Sequence, residues 1–496
     1  MKKCIIIGSG LGGLSCGVIL AKNGYEVIIL EQGAQIGGCL QCFRRGDITF
    51  ETGMHFIGSA DPGQTLHALL HYQEVNRNIE LQRLDTEGYD IISFLGGHYA
   101  LANGRDGFIN TLSHEFPHSR GELADYYQLV KTVTDNSAMH SLNQHVDLGI
   151  NTKYQLHSVN EVIGSVISDK ILQQVLVGIL PLYAGEMNRT PFSIHALISD
   201  FYNQSAFRIV GGSNKIASSL VKTVQAFGGK VLTRKKVTHI NCDATHATGV
   251  DIQDGDHFDA DLVISAIHPA STLGLVDSSL FRPVYRSRIS NTANTVGAFT
   301  VYLKFKSKTM RYMNHNLYVY TSDHTWGCEN YTEQTWPESL LYMHSCDEIN
   351  PAFAKAGEII TYMRFADMKP WIGTTVGKRG DDYETFKQQR AEKLINTLER
   401  EVPGLRNTIE TYYTSTPLTY LDYTGTPEGS MYGVARNVST IGGVNISCKT
   451  RIPNLLLTGQ NITSHGMLGV LAGTMMTCSE ILSTEELFAQ IKNITK

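Results

Sequence analysis

With 496 residues and 42% apolar content, the chain is long enough for two or three domains, or two interleaved ones, each with a sizeable core. A formal net charge of -5, without a basic stripe or a block of like charge, argues against nucleic acid as a partner. Nine scattered cysteines, an odd number, do not read as a secreted disulfide framework, so reduced thiols in a cytosolic compartment are expected.

The chain opens on Met1-Lys2-Lys3 and an apolar run, which imitates a signal peptide, but the run ends in glycines after a few residues. The first expected elements are a buried strand from Cys4 to Ile7, a glycine turn, a helix from Leu11 to Asn23 stopped by Gly24, and a strand from Glu26 to Leu30. Continuous apolar runs of this length suit parallel strands covered on both faces. From Thr65 to Asp200 the pattern is mostly helical, with a strand-like Tyr89 to Leu95 and an apolar patch from Ile171 to Tyr183. At Arg208-Ile209-Val210-Gly211-Gly212 an α/β rhythm returns, with a helix from Asn214 to Phe227 and a strand from Lys230 to Thr233. Further strands are expected at Val237 to Ile240, Gly249 to Ile252 and Leu262 to Ala266. Val296 to Arg364 is strand-rich and aromatic, and a charged amphipathic helix covers Asp382 to Glu401. The strand Leu455 to Thr458 then runs into Gly459 and a helix from about Gly469.

No stretch reaches the roughly 18 uninterrupted apolar residues of a spanning helix; the nearest, Met467 to Leu482, is broken by small and polar residues. A cytoplasmic protein is expected, with peripheral membrane contact left open. The alternating rhythm predicts an α/β fold in which a Rossmann-type domain is interleaved with a mixed α+β substrate domain. Residues 1–60, 205–285 and 421–496 build the first; 61–204 and 286–420 build the second.

The strongest motif is Gly8-Ser9-Gly10-Leu11-Gly12-Gly13, a GxGxxG directly after one strand and opening a helix. Gly8 permits the tight turn, Gly10 lets backbone approach a pyrophosphate, and Gly13 allows close helix–strand packing. The helix start offers N–H groups and a dipole to the diphosphate. Glu31, ending the second strand, is placed to accept hydrogen bonds from ribose hydroxyls and to disfavour a 2′-phosphate there. With strand, helix and acid in register, dinucleotide binding outweighs the plain reading of a glycine-rich turn.

Glu31-Gln32-Gly33-Ala34-Gln35-Ile36-Gly37-Gly38 adds a second glycine pair, and this extended fingerprint resembles that of the FAD-dependent amine oxidase and phytoene desaturase superfamily. Thr458-Gly459-Gln460-Asn461 and the small residues Gly466 to Gly473 resemble the element with which that superfamily covers the flavin from the far end of the chain. Many of its members carry an acid where this sequence has Gln460, which can hydrogen-bond ribityl or phosphate oxygens without charge. Thr49 to Gly58 resembles the corresponding segment of carotenoid isomerases and retinol saturases, and Gln460 places the chain nearest the retinol saturase branch. Val210-Gly211-Gly212-Ser213 resembles the superfamily's return to the FAD domain. The resemblance implies FAD held by Gly8, Ser9, Gly10, Leu11, Gly12, Gly13, Glu31, Gln32, Gly37, Gly38, Val237, Gly459, Gln460, Gly469 and Val470. It also implies hydride exchange between the flavin and a carbon of a polyene or isoprenoid-like molecule in an apolar tunnel, with Ile171 to Tyr183 and the aromatic strands as linings.

His55 and His465 are the candidate proton donors, against the plainer reading of each as a structural histidine. Cys39-Leu40-Gln41-Cys42 imitates a redox or half-zinc motif, but its spacing is not the CxxxxC of flavin disulfide reductases, and no second cysteine pair with ligand spacing follows. No metal site is expected. No second GxGxxG appears for a tightly held nicotinamide, which leaves NAD(P)H docking transiently over the flavin, or a quinone or reduced carrier, as the electron partner. The rival functions are an FAD-dependent amine oxidase and a non-catalytic flavin- and lipid-binding escort protein. The motifs do not encode the oligomeric state or the direction of reaction.

Overall fold

The computed structural model describes residues 1–440 and 446–494. Its central element is a five-stranded parallel sheet in the order Lys230–Leu232, Glu26–Leu30, Lys3–Ile7, Leu262–Ser265, Leu455–Leu457. Cys4, Ile5 and Ile6 are wholly buried because helices cover one face of the sheet and a smaller sheet the other. The helix Leu11–Lys22 packs between Asn214–Ala226 and Gly466–Ser479. A Cβ on its Gly17 would lie 2.7 Å from the Ile29 side chain, so a small residue sets that close approach. On the other face lies the antiparallel sheet Val237–Cys242, Ala247–Ile252, His257–Asp259. Three separated pieces of sequence thus share one parallel sheet.

The two excursions also share a sheet. Its seven strands run Ile409–Ser415, Gly297–Phe305, Ala356–Met363, Ser339–His344, Asn316–Tyr320, Asp90–Phe94, Gly97–Leu101. All pairs are antiparallel except Asn316–Tyr320 with Asp90–Phe94. Helices between Arg105 and Gln204 bury their apolar faces on it, giving a core rich in Tyr, Phe and Leu. The helix Asp381–Glu401 packs against Gly297–Phe305; its first turn holds Asp381, Asp382 and Glu384, which favour the positive end of the dipole. A short sheet of Ile57–Gly58, Ala206–Ile209 and Leu81–Arg83 lies between the two larger bodies. Arg208, on its middle strand, reaches across to the carbonyls of Met313 (3.4 Å) and His315 (2.8 Å).

Three sequence expectations change in detail. The strand expected to Leu95 stops at Phe94, because Leu95 and Gly96 (φ 51 and 78) form a tight turn into Gly97–Leu101. The apolar patch divides into the helix Lys170–Leu176 and a short turn at Leu180–Leu182 that carries Pro181 in its first positions, where no N–H is needed. The last glycine-rich helix begins at Gly466, a turn earlier than its apolar run suggested. Among the described residues, no helix is long and apolar enough to cross a membrane.

Candidate functional site

In open parallel sheets the ligand crevice lies beyond the carboxyl ends of the strands, where the strand order reverses; here that is the end of Lys3–Ile7. Gly8 (φ 97) occupies the left-handed region and turns the chain toward the helix at Leu11. The next three glycines serve different ends. A Cβ on Gly13 would collide with the Gly8 carbonyl, and one on Gly12 would lie 2.9 Å from Gly459 Cα. Those positions are filled by the chain's own backbone. A Cβ on Gly10 would meet nothing within 4 Å, and Gly10 is the N-cap of the helix. Open space over a glycine at a helix N-terminus is a cradle for an anion, and a diphosphate fits it.

Gly37 and Gly38 wall this cradle. The Gly37 N–H donates to the Ser9 carbonyl at 3.0 Å, and a Cβ on Gly38 would stand 3.1 Å from Gly10 Cα. Glu31 is nearly buried; one carboxylate oxygen accepts from Ser9 N (3.0 Å) and Ser9 Oγ (2.6 Å), the other from Gly33 N (2.7 Å). The Ser9 side chain is therefore turned onto Glu31. Lys235 N donates to the Glu31 carbonyl (2.8 Å), which brings the buried Val237 to the same corner, while Gln32 stays exposed beside Gly425.

The C-terminal piece packs directly on the first. Gly459 (φ 98) follows Thr458, whose N–H donates to the Ser265 carbonyl at 2.9 Å. The Gln460 carbonyl accepts from Arg436 (3.4 Å), and Asn461 Oδ1 accepts from Val434 N (2.9 Å). Burial pulls the Arg436 guanidinium down to about 10. Nothing in the sequence singled this arginine out. A Cβ on Gly469 would lie 2.7 Å from the Ser464 backbone, so its missing side chain admits the preceding loop, with Val470 buried next to it.

The two histidines have different surroundings. His465 N-caps the last glycine-rich helix; its Nε2 donates to the Leu182 carbonyl (3.1 Å) and its ring lies 4.3 Å from that of Tyr432. Burial lowers its pKa to about 4, so the ring is neutral. His55 is also lowered to about 4, by burial and then by Arg208, but its Nδ1 has no partner. It lines a small polar cavity with Glu51, Arg208, Ser345 and Glu358. Burial raises Glu51 to about 7, against bonds from Ser213 N (2.8 Å), Ser213 Oγ and Cys42 Sγ (3.2 Å). Cys42 is a thiol donor to Glu51, and burial pushes its pKa up, away from the thiolate a redox pair needs. Sequence reasoning missed Glu51, Arg208 and Glu358 as a group because they come from three distant strands. The unabsorbed charges in Thr49 to Gly58 and in the Arg208 run were the signal available.

Elsewhere, His324, Cys328 and Glu338 bring donor atoms within 4.8 Å of one another, an arrangement that no motif announced. Most of the Ile171 to Tyr183 patch is core, and Leu176 and Ile179 border a cavity shared with Tyr89, Leu101 and Phe108.

A family model described as flavin containing amine oxidoreductase matches residues 11–466. All-trans-retinol 13,14-reductase of Homo sapiens is 28% identical over 99% of this chain and 87% of its own length. Prolycopene isomerase 2, chloroplastic, of an Oncidium hybrid cultivar is 23% identical over 88% of this chain and 76% of its own. Among solved structures, an oxidoreductase from Methanosarcina mazei shares the fold, with a TM-score of 0.64 at 18% identity, covering 96% of this chain and 100% of that one. With its glycine pieces packed around the start of one helix, the chain belongs to the flavin-containing amine oxidoreductase family and is an FAD-dependent oxidoreductase.

Proposed function

We propose that the protein exchanges a hydride between bound FAD and a carbon–carbon bond of a polyene or isoprenoid-like molecule. The observation that carries this reading is the end-to-end similarity to a retinol reductase, reinforced by a second relative named as a prolycopene isomerase. FAD supplies the two-electron chemistry; the chain supplies binding, orientation and exclusion of water. In this reading Gly10 and the helix start at Leu11 take the diphosphate, with Gly8, Ser9, Gly12 and Gly13 shaping the turn. Glu31 would hold the adenosine ribose, with Gln32 and Val237 at the same corner, and Gly37 and Gly38 would wall the diphosphate. Gly459, Gln460, Gly469 and Val470 close the site from the far end of the chain. Of the two candidate proton carriers His55 is the less committed, because its Nδ1 has no partner among the described residues whereas His465 holds the Leu182 carbonyl. NAD(P)H acts as a transient electron donor.

The test is anaerobic mixing of the purified flavoprotein with all-trans-retinol. Reoxidation of photoreduced flavin marks saturation, and bleaching of oxidised flavin marks desaturation. Hydrogen peroxide formed with amines, and no response to polyenes, would replace this reading by an amine oxidase. A flavin inert to every donor and substrate would favour the escort protein.

A further inference from the structure

Arg208 is 2% exposed, yet among the described residues it has no direct carboxylate partner. Nε donates to the Tyr312 hydroxyl (3.1 Å), Nη2 to the Met313 and His315 carbonyls, and Nη1 to nothing. A buried cation needs a countercharge, and an unmet buried N–H is costly. The cavity it lines supplies candidates for both. Glu51 and Glu358 enter from different strands, His55 Nδ1 is a second unpartnered polar atom, and Ser345 Oγ donates to Glu358 at 2.8 Å. Enclosed polar space bordered by unmet donors is where a protein holds water.

The other titratable neighbours answer to their own surroundings. His344 Nδ1 accepts from Met313 N (2.9 Å), so its proton sits on Nε2 toward the Tyr342 hydroxyl (2.6 Å), and burial keeps the ring neutral. Cys346 is a thiol raised by burial, and Asp347 is raised by burial with Lys355 opposing. Asp90 is held by Asn316 Nδ2 (2.8 Å) and Tyr318 Oη (3.2 Å).

We propose that Glu51 and Glu358, linked by cavity water to His55 and balanced by Arg208, form the internal proton store that accompanies hydride transfer. This rests on the polyene reading above. In the saturating direction two C–H bonds form: the hydride brings its own electron pair, and the π pair of the broken double bond takes up a proton. The glutamate pair releases that proton through His55, and the carboxylate left behind is neutralised by Arg208. In the desaturating direction the pair receives it. The roles suit the environment, since burial holds Glu51 at about 7 and Glu358 at about 8, where a carboxyl exchanges protons near neutrality.

The experiment uses the full-length flavin-loaded protein in two arms. An infrared pH titration reads protonated carboxyl groups without turnover. Absorption present below about pH 7 and lost above about pH 8 is expected, with Glu51→Gln and Glu358→Gln each removing part of it. The second arm follows reoxidation of photoreduced enzyme by all-trans-retinol in H2O and D2O. Each glutamine variant is expected to slow it by about 100-fold or more, with a changed pH profile and solvent isotope effect and with FAD retained. Glu358→Gln guards against Glu51→Gln failing to fold, since Glu51 also holds Ser213 and Cys42. No protonated carboxyl band attributable to either residue, or unaltered reoxidation in both variants, would overturn the proposal. If retinol leaves the flavin of the wild type reduced, the polyene reading fails, and the infrared arm still decides whether the store exists.

Discussion

Within one hexapeptide, glycines share a letter and differ in duty, and two substitutions separate those duties. Gly10→Val adds its side chain to open space, so it is expected to fold with a melting temperature near that of FAD-stripped wild type and to emerge from purification without FAD. Gly13→Ala drives a methyl into the Gly8 carbonyl and is expected to cost about 1–3 kcal/mol of stability, read by denaturant titration. FAD retained by Gly10→Val would mean that the diphosphate lies elsewhere. The sequence made Gly8, Gly10 and Gly13 readable because their spacing is local and the turn chemistry is set by neighbours. It could not distinguish Gly12 or Gly469 from them, because what fills those positions is the backbone of Gly459 and Ser464 after folding. Glu51 and Arg208 were silent for the same reason. Their meaning is a cavity that exists only once three strands meet.

Among the elements, apolar runs and glycine stops located the parallel strands closely, since a strand buried on both faces has an unmistakable composition. Hairpin ends and the first turn of the C-terminal helix were less legible. Leu95 adopts φ 51 and Gly466 φ 73; Gly96-Gly97 announces a turn but not that Leu95 is its first left-handed residue, and no turn motif announces Gly466. The helix beginning at Gly466 is anchored by His465, which joins it to the Leu180–Leu182 turn and to Tyr432. His465→Phe keeps the ring contact and removes the bond to the Leu182 carbonyl. A loss of about 0.5–1.5 kcal/mol is expected, with retinol-dependent flavin reoxidation slowed less than 10-fold, roughly. A loss of about 100-fold or more with stability intact would instead make His465 the proton donor.

Across the whole molecule, the return of α/β rhythm suggested that the two excursions assemble a second domain, but its form as one seven-stranded sheet, and the strand pairing within it, were not legible. Sequence-distant strands pair through backbone groups that carry no residue signature. That joining buries polar residues at the seam between the two bodies, and it gives stability a specific pH dependence. Glu51, Glu358 and Asp90 have folded pKa values of about 7, 8 and 7, above the ordinary 4.5 and 3.8, mainly because burial disfavours their charged forms. The folded state thus holds protons that the unfolded chain has already released. Their contribution is fully present below the ordinary carboxyl values and is lost as pH rises through about 7 to 8. His55, His140 and His465 work in the opposite sense: lowered from 6.5 to about 4 by burial, they favour folding above 6.5 and oppose it as pH falls toward 4. Above pH 6.5 the histidine effect is largely complete and the carboxyl effect still has its upper range to run. Thermal unfolding of the flavin-loaded protein is therefore expected to fall in midpoint between about pH 6.5 and 8, and the fall should be shallower in Glu358→Gln, which has no carboxyl there to ionise. A midpoint that rises over this interval would overturn the predicted fall, and an equal slope in the variant would show that Glu358 is already charged in the folded protein.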